Sequence, residues 1–473
     1  MVDQAVPTSA EHDRKTELKR SITGRQLFFY VLGDVLGSGI YVLIGLVAGA
    51  VGGAFWLAFA VGVAVATMTG LAYAELVTKY PRAAGAALYV ERAFHNRPLT
   101  FVVTVCMLSA CFAASGSLAT GFASYFATVW ALPPVLLVSI LFVAVLAIVN
   151  YIGITESVVA NVVMTLVEVA GLVIVMFIGV WYVAEGNADF GTLTDFSSAD
   201  HPVIAVVAGV ALAFFAMTGF ENAANVAEET VHPSRAFPRA LVGGMLAAGV
   251  IYVLVAIAAA LTVPTDTLAN SDAALLEVVE AGIIPVPVGF MTILFAIIAM
   301  TAITNTTLVS VVTQSRILYG MAKEDVVPSA FGKIHHSRRS PWFALVFAAA
   351  VVIGLLLAGW VLNEIGVGMD VVERLATVTV VLTLFIYALV IISAFKLRGQ
   401  DEGEDTYHAS TPLLVAGLVG NVVLLVYVVY DDPASLIWCG ALLGLGGTLF
   451  ALEYFFGTQD RPAGKTRGES LDV

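Results

Sequence analysis

Three carboxylates stand where a lipid-embedded segment gives them no evident use. Asp34, Glu168 and Glu221 each lie inside or at the polar interruption of a long apolar run. A charged acid at the centre of a membrane helix costs about 2.5–3.5 kcal/mol even on the lenient insertion scale, so such residues are functional-site candidates by default. Out of water a carboxyl favours its neutral form and can hold a proton, while its oxygens also suit a hard cation such as sodium. Two of these acids accompany breaks made of small residues. "GDVLGSGIYVLIG", residues 33–45, packs glycines around Ser38, and "FFAMTGFENAANVAEE", residues 214–229, sets Thr218 and Gly219 just before Glu221 and Asn222.

The breaks have their own chemistry. Unwinding a helix strands backbone N–H and C=O groups, each costing several kcal/mol in lipid unless paired. Beyond Gly37-Ser38-Gly39, a half-helix starting at Ile40 offers free N–H groups and a positive dipole end, which suit a carboxylate. Half-helices that end at the breaks leave carbonyls near Val35 and Leu36 and near Phe215 to Thr218, which suit an ammonium. N–H groups on one side and carbonyls on the other fit the zwitterionic end of an amino acid, and glycine lets it approach the backbone closely. Taken alone, Gly33-x-x-x-Gly37 serves equally well as a helix-packing notch. Its match in a second break weighs against that reading. Glu221 can likewise be a cap that accepts from the N–H groups freed beyond the second break.

Elements must hold these groups at membrane depth, and the composition supplies them. Of the 473 residues 59% are hydrophobic and 12% charged, about half the charge of a typical globular chain. The pattern excludes a β-barrel, whose strands would alternate polar and apolar residues. Apolar windows long enough to cross a bilayer fall near 26–50, 54–77, 99–127, 132–151, 157–184 and 202–228. Six more follow, near 237–263, 286–314, 341–360, 370–395, 411–430 and 433–457. The expected fold is an all-α polytopic membrane protein with twelve transmembrane helices. Helices 1 and 6 are discontinuous and open two five-helix blocks. Because five is odd, the second block enters from the opposite side and forms a 5+5 inverted repeat. Broken helices at matching positions of inverted repeats point to a binding site at the midplane. The expected divisions are an N-terminal tail over 1–24, a first repeat over 25–184 and a second over 202–395. Two further helices over 411–457 and a tail over 458–473 complete them.

Charge sets the orientation. With the N-terminus cytoplasmic, every Lys and Arg except Arg374 falls in a cytoplasmic segment, whereas the opposite loops carry acids such as Asp189, Asp195, Asp266 and Asp431. This is the positive-inside rule, and it places both termini in the cytoplasm of a cell-membrane protein. The net charge of −13 belongs to solvated loops and indicates no nucleic-acid partner. The first 20 residues are polar and lack the pattern of a cleavable signal. Cys106, Cys111 and Cys439 lie in apolar segments without zinc or disulfide spacing. No HExxH, nucleophile elbow or P-loop appears, and the seven histidines fall outside the membrane core. The expectation is therefore no enzyme, no metal and no cofactor. Glu75 and Lys79, four residues apart, have the spacing of a structural ion pair. Arg374 beside Glu373 and one turn after Asp370 reads as a self-neutralising cluster, or as part of an extracellular gate.

Four stretches in order carry a family likeness: "GSGIYVLIG" (37–45), "YAELVTKYPRAAGAALYVERAFH" (73–95), "FFAMTGFENAANVAEETVHPSRAFPRAL" (214–241) and "ITNTTLVSVVTQSRILYGMAKEDVVP" (303–328). Over about residues 25 to 457 the chain resembles the amino acid–polyamine–organocation superfamily of permeases, with its LeuT-type fold. The resemblance implies carboxylate binding at Ser38 and Gly39. It implies amine binding by the carbonyls of Val35, Phe215 and Thr218, with Phe215 closing over the substrate as a gate. Gly37, Ile40 and Gly219 complete the expected binding set. The likeness also brings spans one, five and eight together, where Asp34 and Glu168 would share a proton or bind a cation, assisted by oxygens of Thr304, Asn305 and Thr306. Glu221 is associated with coupling. Glu168 departs from relatives that carry a lysine at or beside this position, so a lysine-based mechanism does not transfer. The expected activity is secondary active transport of amino acids by alternating access, driven by a proton or sodium gradient. The alternatives are an ion-independent amino acid or amine exchanger and a transporter-like nutrient sensor. The expected partners are a small amino acid and the bilayer, in a monomer or homodimer.

Overall fold

A computed structural model describes residues 22–456 except 82–84, 131–132, 153–157, 197–200, 324–325, 336–339, 367, 369 and 401–405. Most of the tail expected over 1–24, all of that over 458–473, and Arg82 in the loop after the second span lie outside the described residues.

Among the described residues the secondary structure is almost entirely helical. A capping box starts α1 (Gly24–Leu36): the Thr23 hydroxyl accepts from the Gln26 N–H and the Gln26 side chain accepts from the Thr23 N–H. α2 (Gly39–Val51) resumes after two residues, bent by 41° from α1. The other spans of the first half are α3 (Trp56–Lys79), α5 (Arg97–Val129), α6 (Val135–Ile152) and α7 (Val158–Ala184), with the short α4 (Gly85–Phe94) between α3 and α5. The second half begins with α8 (Pro202–Ala216) and, beyond a second break, a 3-10 helix over Phe220–Glu229. There follow α9 (Pro233–Thr262), the short α10 (Thr265–Ala269) and α11 (Ala274–Glu280), and then α12 (Val288–Lys323). α13 (Trp342–Glu364), α14 (Val371–Leu397), α15 (Thr411–Asp431) and α16 (Ser435–Phe456) complete the chain. Among the described residues eleven helices are long and apolar enough to span a membrane, or twelve with α1 and α2 taken as one bent span. The expected boundaries hold to within a few residues except for α12, which runs on to Lys323.

Spans α3 and α9 pack together, as do α1 and α9, while α5 joins α12 and α14. Within the most apolar stretch of α14, 78% of residues are buried, against 28% in α15 and in α16. α14 is therefore central and the last two spans are peripheral. Short helices α4, α10 and α11 were expected as loops. They are too short to register as bilayer spans, and α4 is held by burying Ala86, Tyr89, Val90 and Ala93 along one face.

Two expected charge pairs find other partners. Glu75 does not pair with Lys79. Its carboxylate takes a bidentate pair of bonds from Arg398, at 2.9 Å from Nε and 2.9 Å from the terminal nitrogen, and a third from the Ala409 N–H. Lys79 instead donates to the Leu397 carbonyl. The planar guanidinium fork matches a carboxylate better than a flexible ammonium one turn away. At the other end Arg374 pairs with Asp432, between α15 and α16, while Asp370 caps α14 by accepting from the Glu373 N–H. Once Asp370 serves as cap, Arg374 is left to reach across to a different span.

Candidate functional site

The second break falls where the sequence places it. α8 ends at Ala216, and the chain turns through Met217 and Thr218 to Gly219, whose φ of +114° lies in a region that side chains other than hydrogen rarely enter. It then winds as a 3-10 helix rather than an α-helix. The first break is tighter, since α1 stops at Leu36 and α2 starts at Gly39.

The two breaks touch. A Cβ built on Gly39 would lie 2.5 Å from the Ala216 Cα, and one on Gly219 would lie 2.7 Å from the Asp34 carbonyl oxygen. Each glycine permits a backbone-to-backbone approach that any larger residue would prevent. Between them lies a cavity of about 70 Å³. The broken spans line it with Asp34, Val35, Gly37, Ser38 and Gly39 on one side and Phe215, Thr218, Gly219 and Glu221 on the other. Residues of α5, α12 and α14, small or hydroxyl-bearing except for Leu118, complete its lining. Ile40, Glu168, Thr304, Asn305 and Arg374 do not line it.

Backbone groups freed by the breaks are already partnered in part. The Ser38 N–H donates to the Thr306 hydroxyl at 3.2 Å, and the first bond that α2 makes within its own turn is from the Val42 N–H to the Ser38 carbonyl. The N–H groups of the intervening first turn have no carbonyl four residues back within α2. Four of the carbonyls expected to be free, those of Val35, Leu36, Phe215 and Ala216, have donors within reach. The Tyr252 hydroxyl, from α9, lies 2.7 Å from the Leu36 carbonyl oxygen and 3.1 Å from that of Ala216, and it also bonds to Val35. The Phe215 carbonyl accepts from the Thr218 N–H at 3.2 Å and from its hydroxyl at 2.8 Å. Buried carbonyls rarely stay unpaired, so the fold supplies donors. The Val35, Leu36 and Ala216 oxygens keep a lone pair for a ligand, whereas Phe215 already accepts two bonds.

Tyr252 therefore ties the ends of both broken helices to a third span with a single hydroxyl hydrogen. Removing it in Tyr252→Phe leaves carbonyls at both breaks without that donor, and a buried unsatisfied group costs about 1–3 kcal/mol. The expected result is a lower thermal unfolding midpoint for the purified variant than for the wild type, measured in the same detergent.

The three acids occupy distinct settings. One Glu221 oxygen accepts from the Gly219 N–H at 2.8 Å and from the Tyr387 hydroxyl at 2.7 Å. It thus caps the turn at the second break and joins it to α14. Asp34 faces the cavity. Glu168 is fully buried, and among the described residues neither of its carboxyl oxygens has a hydrogen-bond partner. Its span α7 meets α1 closely, since a Cβ on Gly33 would fall 2.0 Å from the Thr165 hydroxyl. Gly33 precedes Asp34 and Thr165 lies one turn before Glu168, so the two acids are in electrostatic reach of one another. The Tyr41 hydroxyl donates to the Glu168 carbonyl at 2.8 Å and ties α2 to the same place. Thr304 turns its hydroxyl to Met300 of its own helix, and Asn305 is buried beside the cavity-lining Thr306.

Sequence reasoning missed Tyr252 and Tyr387. Neither stands in a motif, and a tyrosine in an apolar helix looks like core until the fold brings its hydroxyl to a break.

Two interrupted spans facing each other across one cavity, in a bundle of eleven or twelve membrane-length helices among the described residues, have the architecture of a membrane transporter of the broken-helix class. The chain belongs to the amino acid permease family, whose model matches residues 22–439. It is 27% identical over 354 residues to "Cationic amino acid transporter 9, chloroplastic" of Arabidopsis thaliana, covering 70% of this chain and 60% of that one. It is 24% identical over 412 residues to "Branched-chain amino acid permease BcaP" of Bacillus subtilis (strain 168), covering 80% of this chain and 81% of the relative. A "Methylthioribose transporter" of the same organism is 23% identical over 391 residues, covering 76% and 80%. Among solved structures, the Eremococcus coleocola manganese transporter shares the fold, with a TM-score of 0.64 at 12% identity over 94% of this chain and 98% of that one. The chain is a multi-pass membrane protein whose relatives are chiefly amino acid transporters and permeases.

Proposed function

We propose that this permease is a secondary active transporter that carries amino acids across the cytoplasmic membrane by alternating access, coupled to protons, with both termini in the cytoplasm. The observation that carries this reading is the meeting of both breaks at one cavity. The first turn of α2 presents N–H groups and a positive dipole end to the substrate carboxylate at Ser38 and Gly39. The second lone pair of the Val35 carbonyl, with the Thr218 carbonyl, receives the ammonium. Phe215 stands at the cavity wall as the occluding side chain.

Glu168 supports proton coupling over plain exchange. A fully buried carboxylate with no donor to either oxygen is costly when ionised, and a proton or a cation removes that cost. Asp34, near it and facing the cavity, gives the proton a way to sense whether substrate is present. In an exchanger the two acids would be structural, and a structural carboxylate would be expected to have its oxygens satisfied.

The test is uptake of radiolabelled amino acids into proteoliposomes, with proton and sodium gradients imposed separately. The expected result is accumulation with an inward proton gradient and none with sodium alone. Uptake only by exchange against internal amino acid would replace proton coupling with exchange. Absence of both accumulation and exchange for every amino acid would overturn the proposal.

A further inference from the structure

We infer that the cavity selects amino acids with small neutral side chains, glycine, alanine and serine, and rejects the cationic and branched-chain substrates for which two of its relatives are named. The inference rests on the proposed docking of the zwitterion at the two breaks. Space, wall chemistry and wall rigidity each support it.

A volume of about 70 Å³ amounts to roughly five to seven water-sized positions, at about 10–15 Å³ for each water. Glycine and alanine fit that space and serine nearly fills it. Leucine, lysine and arginine have more non-hydrogen atoms than that number of positions, so their side chains must reach past them.

With the zwitterion at the breaks, the side chain faces Ala110, Cys111 and Ala114 of α5, Ser310 of α12, and Thr379 and Thr383 of α14. These offer methyl, thiol and hydroxyl groups, which suit hydrogen, methyl or hydroxymethyl substituents. None is charged. Both acids that line the cavity, Asp34 and Glu221, belong to the broken spans at the zwitterion end, and Glu221 already accepts two bonds there. Beyond these two acids, a distal ammonium or guanidinium finds no further carboxylate among the lining residues.

The wall is also fastened. The Thr379 hydroxyl bonds to the Leu375 carbonyl of its own helix at 2.9 Å, with the Ala110 carbonyl oxygen of α5 at 3.3 Å. The Gln314 amide, from α12, donates to the Cys111 carbonyl and to the Ser115 hydroxyl at 2.7 Å each. The Gln314 amide thus holds α12 to α5, which resists their parting to admit a larger side chain. Leu118, one turn beyond Ala114 on α5, bounds the cavity and is 1% exposed. Ala114 and Leu118 are therefore assigned as specificity-determining residues.

The experiment compares uptake of labelled glycine, alanine, leucine and arginine by wild-type proteoliposomes, by Ala114→Val and by Leu118→Ala. One methylene too many or too few in an apolar pocket changes discrimination by about tenfold or more. Wild-type uptake of alanine should exceed that of leucine and of arginine by at least about tenfold. Ala114→Val should lower the alanine-to-glycine ratio by about tenfold, and Leu118→Ala should raise the leucine-to-alanine ratio by a similar factor. Ratios taken within one variant are independent of how much of it folds. Arginine or leucine carried as well as alanine by the wild type would overturn the inference while leaving amino acid transport standing. Ratios unchanged in both variants would overturn the assignment of the wall. Failure to carry any of the four, or any other amino acid, would overturn the reading on which the inference rests.

Discussion

Gly39→Ala should bring transport to background. A Cβ at residue 39 would sit 2.5 Å from the Ala216 Cα, 2.7 Å from its Cβ and 3.2 Å from its N. Two of these are backbone atoms at the end of a helix and cannot rotate away, so α2 and α8 must separate. A displacement on the order of 1 Å between groups that must converge on one ligand is enough to lose about a hundredfold in rate. Proteoliposome uptake per folded transporter should fall by at least that factor. Gly320→Ala is the control, because a Cβ there meets nothing within 4 Å, and its uptake should match the wild type. Equal uptake by Gly39→Ala and Gly320→Ala would mean that the contact between the breaks has no part in transport.

The second large effect concerns energy rather than binding. With Asp34→Asn and Glu168→Gln combined, an imposed proton gradient should no longer accumulate substrate, while exchange of external for internal amino acid continues. Both substitutions preserve shape and remove a titratable proton, so the cradle at Ser38, Gly39 and Thr218 stays intact. Glu168 is the more informative single site, being fully buried with no donor to its carboxyl oxygens. Glu168→Gln alone should make uptake insensitive to external pH. Accumulation equal to the wild type at every pH would remove proton coupling from these two acids.

Much of the architecture is legible in the residues because lipid enforces it. Membrane spans must be long and apolar, so their number and most of their limits follow from hydropathy. The breaks at Gly37-Ser38 and Thr218-Gly219 are visible because small and polar residues have few other uses at that depth. Short-range geometry is less legible. α4 leaves no mark at the length of a bilayer span, and the 3-10 winding of Phe220–Glu229 has no signature distinct from an α-helix. Partners distant in sequence are least legible of all. Glu75 has a lysine at ideal helical spacing yet bonds to Arg398, 323 residues away. Arg374 has acids beside it yet pairs with Asp432, and Tyr252 gives no hint that it reaches the Leu36 carbonyl, 216 residues away. Spacing along one helix shows what can meet. Only the fold decides which of several competent partners is nearer and better aligned.

A structure determined with a bound amino acid addresses the central claim most directly. The account predicts ligand density between the breaks, its carboxylate within hydrogen-bond distance of the backbone N–H groups at Gly39 and Ile40 and its ammonium facing the carbonyls of Val35 and Thr218. Density lodged away from both breaks, or between them with the two ends of the zwitterion exchanged, would contradict it.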